Sequence, residues 1–165
     1  MPSFNFDDQL HVGAWGEDII DKFFSRWYVV RKVSREMQRQ GIDRILVSKR
    51  DNSQLKVEYK TDTKAHQTGN VFVETVSVDA AQKRGWVYTS KADVLAYWIP
   101  GRSVIYTIHF STLREVFPHW EWRHRHVTAA NDHYATHGIL VPLVEFAQCG
   151  TANALYAPPD AKFRF

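Results

Sequence analysis

The chain has 165 residues, with 44% hydrophobic and 24% charged positions and a formal charge of +3 from 21 Lys and Arg against 18 Asp and Glu. That balance excludes a disordered tail or a bilayer-embedded protein and predicts one domain over residues 1–165, with a core of about residues 11–110. No apolar run approaches the roughly 18–20 residues that span a membrane, Cys149 has no second cysteine to pair with, and the N-terminus lacks the order of a secretory signal, so a soluble protein of a reducing cytoplasm without a membrane partner is expected.

Charge is uneven along the chain. Acids gather at Asp7, Asp8, Glu17, Asp18 and Asp21, and bases in RKVSREMQR and WEWRHRH. Over residues 12–27, Ile19, Ile20, Phe23, Phe24 and Trp27 recur at three- and four-residue steps and predict a helix with one buried stripe. Glu17 falls on or beside that stripe, with Asp21 one turn on as its solvated companion. Tyr28, Val29 and Val30 predict a short strand or lead-out, and VSREMQRQG a polar connection ended by Gly41. Residues 42–48 and 55–61 read as strands joined by the turn KRDNSQ, and VFVETVSV as a third strand after the polar loop DTKAHQTGN.

Residues 89–98 predict a helix, with Ser90 as N-cap and Asp93 three residues on. Pro100 and Gly101 end it, SVIYTIHF reads as a buried strand, and Thr112 with Glu115 starts a short helix before Pro118. The expected order is thus helix, three strands, helix, strand, helix, with strand-like but poorly periodic material in the tail. There is no phosphate-binding glycine loop and no paired-cysteine metal motif.

The informative stretch is GIDRILVSKRDNSQLKVEYKTD. Asp43 opens one strand, and Glu58 and Lys60 share a face of the next, opposite Leu55, Val57 and Tyr59. A carboxylate and an ammonium on a buried sheet face are costly unless charge or a metal compensates. Asp43 and Glu58 are hard oxygen ligands suited to Mg²⁺ or Mn²⁺, and Lys60 could either help deprotonate a water or steady a pentavalent phosphate. The plainer alternative is a turn-capping Asp43 beside a solvated Glu58 and Lys60 pair.

Glu17 in the first helix, Asp43 after a glycine, and VEYK resemble the PD-(D/E)XK nuclease superfamily, especially its small archaeal Holliday-junction-resolvase-like and phage-encoded members. The resemblance covers about the first two thirds of the chain, and GID has Ile42 where the motif's name has proline. It implies an α/β fold with a restriction-endonuclease-like core, a mixed central sheet in the order αβββαβ, and C-terminal additions. It also implies catalytic Glu17, Asp43, Glu58 and Lys60, a Mg²⁺ or Mn²⁺ cofactor on Asp43, Glu58 and the Tyr59 carbonyl with Glu17 as a further candidate, and a host cytoplasm if the chain is phage-encoded.

Glu74 is a candidate outer acid, with Phe72 and Val76 on its face of the third strand. Lys64, His66, Lys83, Arg84 and Lys91 are candidate DNA contacts, as are Arg123 and Arg125 in HWEWRHRH, where aromatics alternate with bases. Trp86 reads as core more readily than as a base-stacking residue. The histidine pairs His124/His126 and His133/His137 lack a third evident metal ligand. The expected function is a metal-dependent endodeoxyribonuclease acting on DNA, with branched duplex as a candidate substrate and a homodimer as the expected assembly. The alternative is a noncatalytic DNA-binding or complex-forming protein on the same fold.

Overall fold

The expected N-terminal helix forms as α1 (Phe6–Phe24) in the computed structural model, which describes residues 6–78, 82–130 and 135–155. Its stripe of Ile20, Phe23 and Phe24 is buried against Leu46, Val57, Tyr59, Ala96, Trp98 and Ile105. The strands beneath it are β1 (Tyr28–Lys32), β2 (Arg44–Ser48), β3 (Gln54–Thr61), β6 (Val94–Ile99), β7 (Val104–His109) and β10 (Thr151–Ala154). They form a six-stranded sheet in the order β1-β2-β3-β6-β7-β10. Every neighbouring pair is antiparallel except β3 and β6, which run parallel with Glu58 opposite Leu95 and Lys60 opposite Tyr97.

The β2–β3 hairpin follows from its turn chemistry. Asp51 Oδ1 accepts from the Ser53 N–H at 3.1 Å and the Ser53 hydroxyl at 2.7 Å, while Asn52 takes the left-handed conformation that asparagine tolerates (φ 60°). α1 crosses β3 closely at Gly16, where any side chain would collide with the Thr61 hydroxyl.

A second, four-stranded sheet holds β5 (Lys83–Arg84), β4 (Asn70–Val78), β9 (Ala135–Pro142) and β8 (His126–Ala130) in that order, all antiparallel. Its Val71, Val73, Ile139 and Val141 join the larger core with Leu95, Tyr97 and Ile108 of the first sheet. Two sheets and the six helices α1, α2 (Arg35–Arg39), α3 (Ala65–Thr68), α4 (Trp86–Thr89), α5 (Phe110–Arg123) and α6 (Leu143–Ala147) make a mixed α/β fold. Among the described residues no helix is long and apolar enough to cross a membrane.

Several expectations need correction. Residues 89–98 are not a helix: α4 ends at Thr89, and VLAYWI is a strand whose six residues are all buried between β3 and β7. A run buried on both faces loses the alternation that identifies a strand, so its helical periodicity was accidental. Ser90 instead donates its hydroxyl to the Gly41 carbonyl, and Asp93 Oδ2 accepts from the Lys56 N–H. VFVETVSV does form a strand, but it leaves the central sheet for the second, so the three-strand antiparallel run is β1-β2-β3.

The connection before Gly41 contains α2, capped by the Ser34 hydroxyl accepting from the Met37 N–H. α5 starts at Phe110, before Thr112, and continues through Pro118 to Arg123. Pro118 removes one ladder bond, but buried Phe110, Leu113, Phe117 and Trp120 hold the helix against the core. His137 lies on β9, and His133 lies outside the described residues.

Candidate active site

The parallel pair β3–β6 and the start of β2 bring the sequence candidates together. The Asp43 N–H donates to the Val57 carbonyl, and Asp43 Oδ2 accepts from the Tyr59 N–H at 2.7 Å, which fixes its carboxylate across β3. In an extended strand the N–H and C=O of one residue point the same way, so the Tyr59 carbonyl also faces the Asp43 side, past the last β2–β3 pair, Arg44 and Val57. Glu58 Oε1 lies 2.9 Å from Lys60 Nζ. Glu58 is only 4% exposed, and its Oε2 has no hydrogen-bond partner.

Gly41 explains part of that arrangement. It adopts φ +75°, and a Cβ there would lie 3.0 Å from Glu58 Oε2 and 2.8 Å from the Ser90 hydroxyl oxygen. The glycine permits the left-handed turn into Asp43 and leaves room beside the unpartnered carboxylate oxygen.

Burial raises Asp43 above the ordinary carboxylate range, against the lowering influence of the Tyr59 N–H and Lys60, with Glu58 and Glu17 adding like-charge repulsion. Lys60 is partly exposed. Burial lowers its pKa, but Glu58, Glu74 and Asp43 outweigh that and raise it overall, so it stays an ammonium at neutral pH.

Because Asp43 binds its proton more tightly folded than unfolded, its contribution to stability is favourable below the ordinary carboxylate pKa and is lost as pH rises through the folded value. Asp43→Asn keeps an acceptor for the Tyr59 N–H and removes the buried charge. In chelator-containing buffer it should melt above the native protein at pH 7, with the gap closing on acidification toward pH 4. A lower melting temperature at pH 7 in calorimetry would contradict this electrostatic account.

Glu17 reaches the site differently from its placement on a buried stripe. Its Oε2 accepts from Arg44 Nη2 at 2.8 Å, while Arg44 Nε bonds both Asp21 oxygens at 3.0 Å. Arg44 Nη1 donates to the Asp43 carbonyl at 2.8 Å, and the guanidinium lies 5.5 Å from the Tyr59 ring centroid. Asp21 is therefore a partner of Arg44 and not merely a solvated companion. Arg44 was missed by sequence reasoning, although Glu17 and Asp21 at helical i, i+4 spacing were a signal that a base must meet them.

A cleft of about 800 Å³ lies beside this cluster, lined by Glu17, Tyr59, Lys60, Lys64 and Glu74, whereas Asp43 and Glu58 lie behind its lining. Glu74 comes from β4, where a bulge separates it from Val76 and breaks the expected common face. Asp62, also missed, shapes the cleft: Oδ1 accepts from the Lys64 and Ala65 N–H groups and Oδ2 from the Tyr97 hydroxyl at 2.6 Å. Its signal was an aspartate opening a polar turn. Trp86 packs edge-on to Phe110 in the core and also lines the cleft, as do Phe72 and Leu140 of the second sheet.

The remaining candidates scatter. His66 packs against Gly101 with its Nδ1 buried, so it is a poor phosphate contact. Lys83 and Arg84 lie on β5, where Arg84 stacks over the Tyr88 ring at 3.8 Å. The Lys91 N–H donates to the Gln40 carbonyl, which places this exposed residue by the turn preceding Asp43. Arg123 is exposed at the end of α5. The Leu140 N–H donates to the Arg125 carbonyl at 3.1 Å, so the backbone of exposed Arg125 adjoins that of a cleft-lining residue, although Arg125 itself does not line the cleft.

Among the described residues no three His, Cys, Asp or Glu side chains are grouped to hold a metal by themselves. Mg²⁺ commonly takes one or two carboxylates and keeps several waters. Asp43, Glu58 and the Tyr59 carbonyl fit that donor set, because Glu58 presents a buried, unpartnered oxygen and the Tyr59 N–H holds the Asp43 carboxylate across the same strand. Comparisons of the chain with family models, curated proteins and solved structures gave no match.

Proposed function

We propose that the protein is a metal-dependent nuclease that hydrolyses DNA phosphodiester bonds on a PD-(D/E)XK-type domain with a restriction-endonuclease-like core. The observation that carries this reading is Asp43 entering β2 beside buried Glu58 and cleft-lining Lys60 on the next strand. The order α1, then antiparallel β1-β2-β3, then a helix-containing crossover to parallel β6, supports it. The second sheet and the segments after β7 are the additions that distinguish this chain.

Asp43, Glu58 and the Tyr59 carbonyl would hold Mg²⁺ or Mn²⁺, which when bound polarises the scissile phosphate and favours ionisation of a water. Lys60, kept charged by three carboxylates, donates hydrogen bonds: it orients the attacking water and stabilises charge gathering on the phosphate. Glu17 is a further acid at the cleft. A homodimer acting in a cytoplasm, or in a host cytoplasm if phage-encoded, completes the proposal.

The test is cleavage of branched, linear duplex and single-stranded DNA with Mg²⁺ or Mn²⁺ by the native protein and by Lys60→Ala. Cleavage by the native protein, with Lys60→Ala slowed about a hundredfold or more but still binding DNA, is the expected result. DNA binding without cleavage of any substrate would replace this reading with a noncatalytic DNA-binding one.

A further inference from the structure

Trp122 is the most exposed large hydrophobic side chain among the described residues, at 85%. It sits on the last turn of α5, a helix fixed by buried Phe117 and Trp120 and by the Glu121 carboxylate accepting from the Tyr88 hydroxyl at 2.7 Å. The next turn of chain is tied back as well, because His126 Nε2 lies 2.7 Å from the Glu121 carbonyl. Trp122 is thus an exposed indole on a rigid support.

Its surroundings are cationic. Arg123 and Arg125 are exposed, and among the described residues neither forms an ion pair, whereas Glu121, beside Trp122 in sequence, accepts from the Tyr88 hydroxyl. His119 lies one turn back, its ring 6.5 Å from that of Trp122. Position links this patch to the cleft. The Arg125 carbonyl accepts from the N–H of cleft-lining Leu140, and three residues of chain span at most about 11 Å, so Trp122 lies within a few nucleotide lengths of a residue of the cleft.

We propose that Trp122, flanked by Arg123 and Arg125, is a stacking platform for an unpaired nucleobase of a DNA strand leaving the cleft. An indole face stacks on any base, and the arginines hold the flanking phosphates without reading sequence. A paired base is already stacked within its helix and offers no free face. The patch therefore favours DNA with a single-stranded or splayed segment beside the scissile bond over continuous duplex. This inference rests on the nuclease reading for its substrate, and it names the shape of that substrate.

The experiment measures fluorescence anisotropy of labelled single-stranded, splayed and blunt duplex DNA in chelator with the native full chain, Trp122→Phe and Trp122→Ala. Trp122→Ala should weaken binding to single-stranded and splayed DNA by about tenfold, change duplex binding less than about twofold, and be largely rescued by phenylalanine. Equal loss on all three DNAs, or no loss on any, would overturn the stacking role. So would a change of oligomeric state in Trp122→Ala by sedimentation, which would make the patch a protein interface. Failure of the native protein to bind any DNA would overturn both this role and the nuclease reading, whereas native binding and cleavage with an indifferent Trp122→Ala overturns this role alone.

Discussion

Glu58→Gln is expected to lower metal-dependent DNA cleavage by at least about a hundredfold, close to 3 kcal/mol of transition-state stabilisation, while leaving the melting temperature within a few degrees of native. The asymmetry follows from the site. Glu58 is buried, one oxygen faces Lys60, and the other has no partner. A glutamine of the same shape removes a desolvated charge that the fold pairs on one oxygen only, and Lys60 is exposed enough to turn to solvent and to Glu74, so the two effects on stability largely offset. Chemistry loses a ligand and the counter-ion that holds Lys60.

Thermal shift with Mg²⁺ or Mn²⁺ gives a second readout, because a ligand that binds only the folded state raises its stability by mass action. The native protein should be stabilised by the cation and Glu58→Gln much less. Native-level cleavage by Glu58→Gln would remove Glu58 from the site. Strong destabilisation with an unchanged rate per folded molecule would assign it a purely structural role.

Arg44→Met is expected to have the largest effect on stability, about 3–5 kcal/mol, read as a fall of about 10 °C or more in melting temperature. Arg44 is 3% exposed and bonds Asp21, Glu17 and the Asp43 carbonyl while lying against the Tyr59 ring. Truncating the base leaves the Asp43 carbonyl and the partly buried carboxylates of Asp21 and Glu17 without their cation and removes a buried side chain packed on Tyr59, which costs more than the intact network contributes. That reasoning gives a sharper check: replacing Arg44 with Met together with Glu17→Gln and Asp21→Asn should recover much of the loss. A triple variant no more stable than Arg44→Met would assign the destabilisation to lost packing and not to unpaired charge. Arg44→Lys should fall between, since one ammonium cannot reproduce the fork that joins α1 to the start of β2.

This network also ties folding to chemistry. The same guanidinium that anchors α1 to β2 holds the carbonyl of Asp43, so the helix, the strand and the site residue are positioned together. Loss of Arg44 should therefore slow cleavage beyond what reduced folding explains.

The amino-acid sequence alone determined the elements whose signals are local. Apolar spacing placed α1, the Asp51, Asn52 and Ser53 turn specified the β2–β3 hairpin, and period-two alternation put Glu58 and Lys60 on one face with Val57 and Tyr59 on the other. Each of these signals is complete within about ten residues and agrees with the surfaces that distant segments bring to it, unlike the equally local helical spacing of residues 89–98. Tertiary structure decided the rest, because it depends on which surfaces meet. VLAYWI became a strand because both of its faces are covered by neighbours far away in sequence, and VFVETVSV left the central sheet because β9 pairs with it. Arg44 became a buried hub only when two acids from α1 closed over it, and Phe72 and Leu140 joined the cleft only through the second sheet. Burial and pairing between distant segments are collective, and a one-dimensional pattern carries the preference of a residue for them without the identity of its partner.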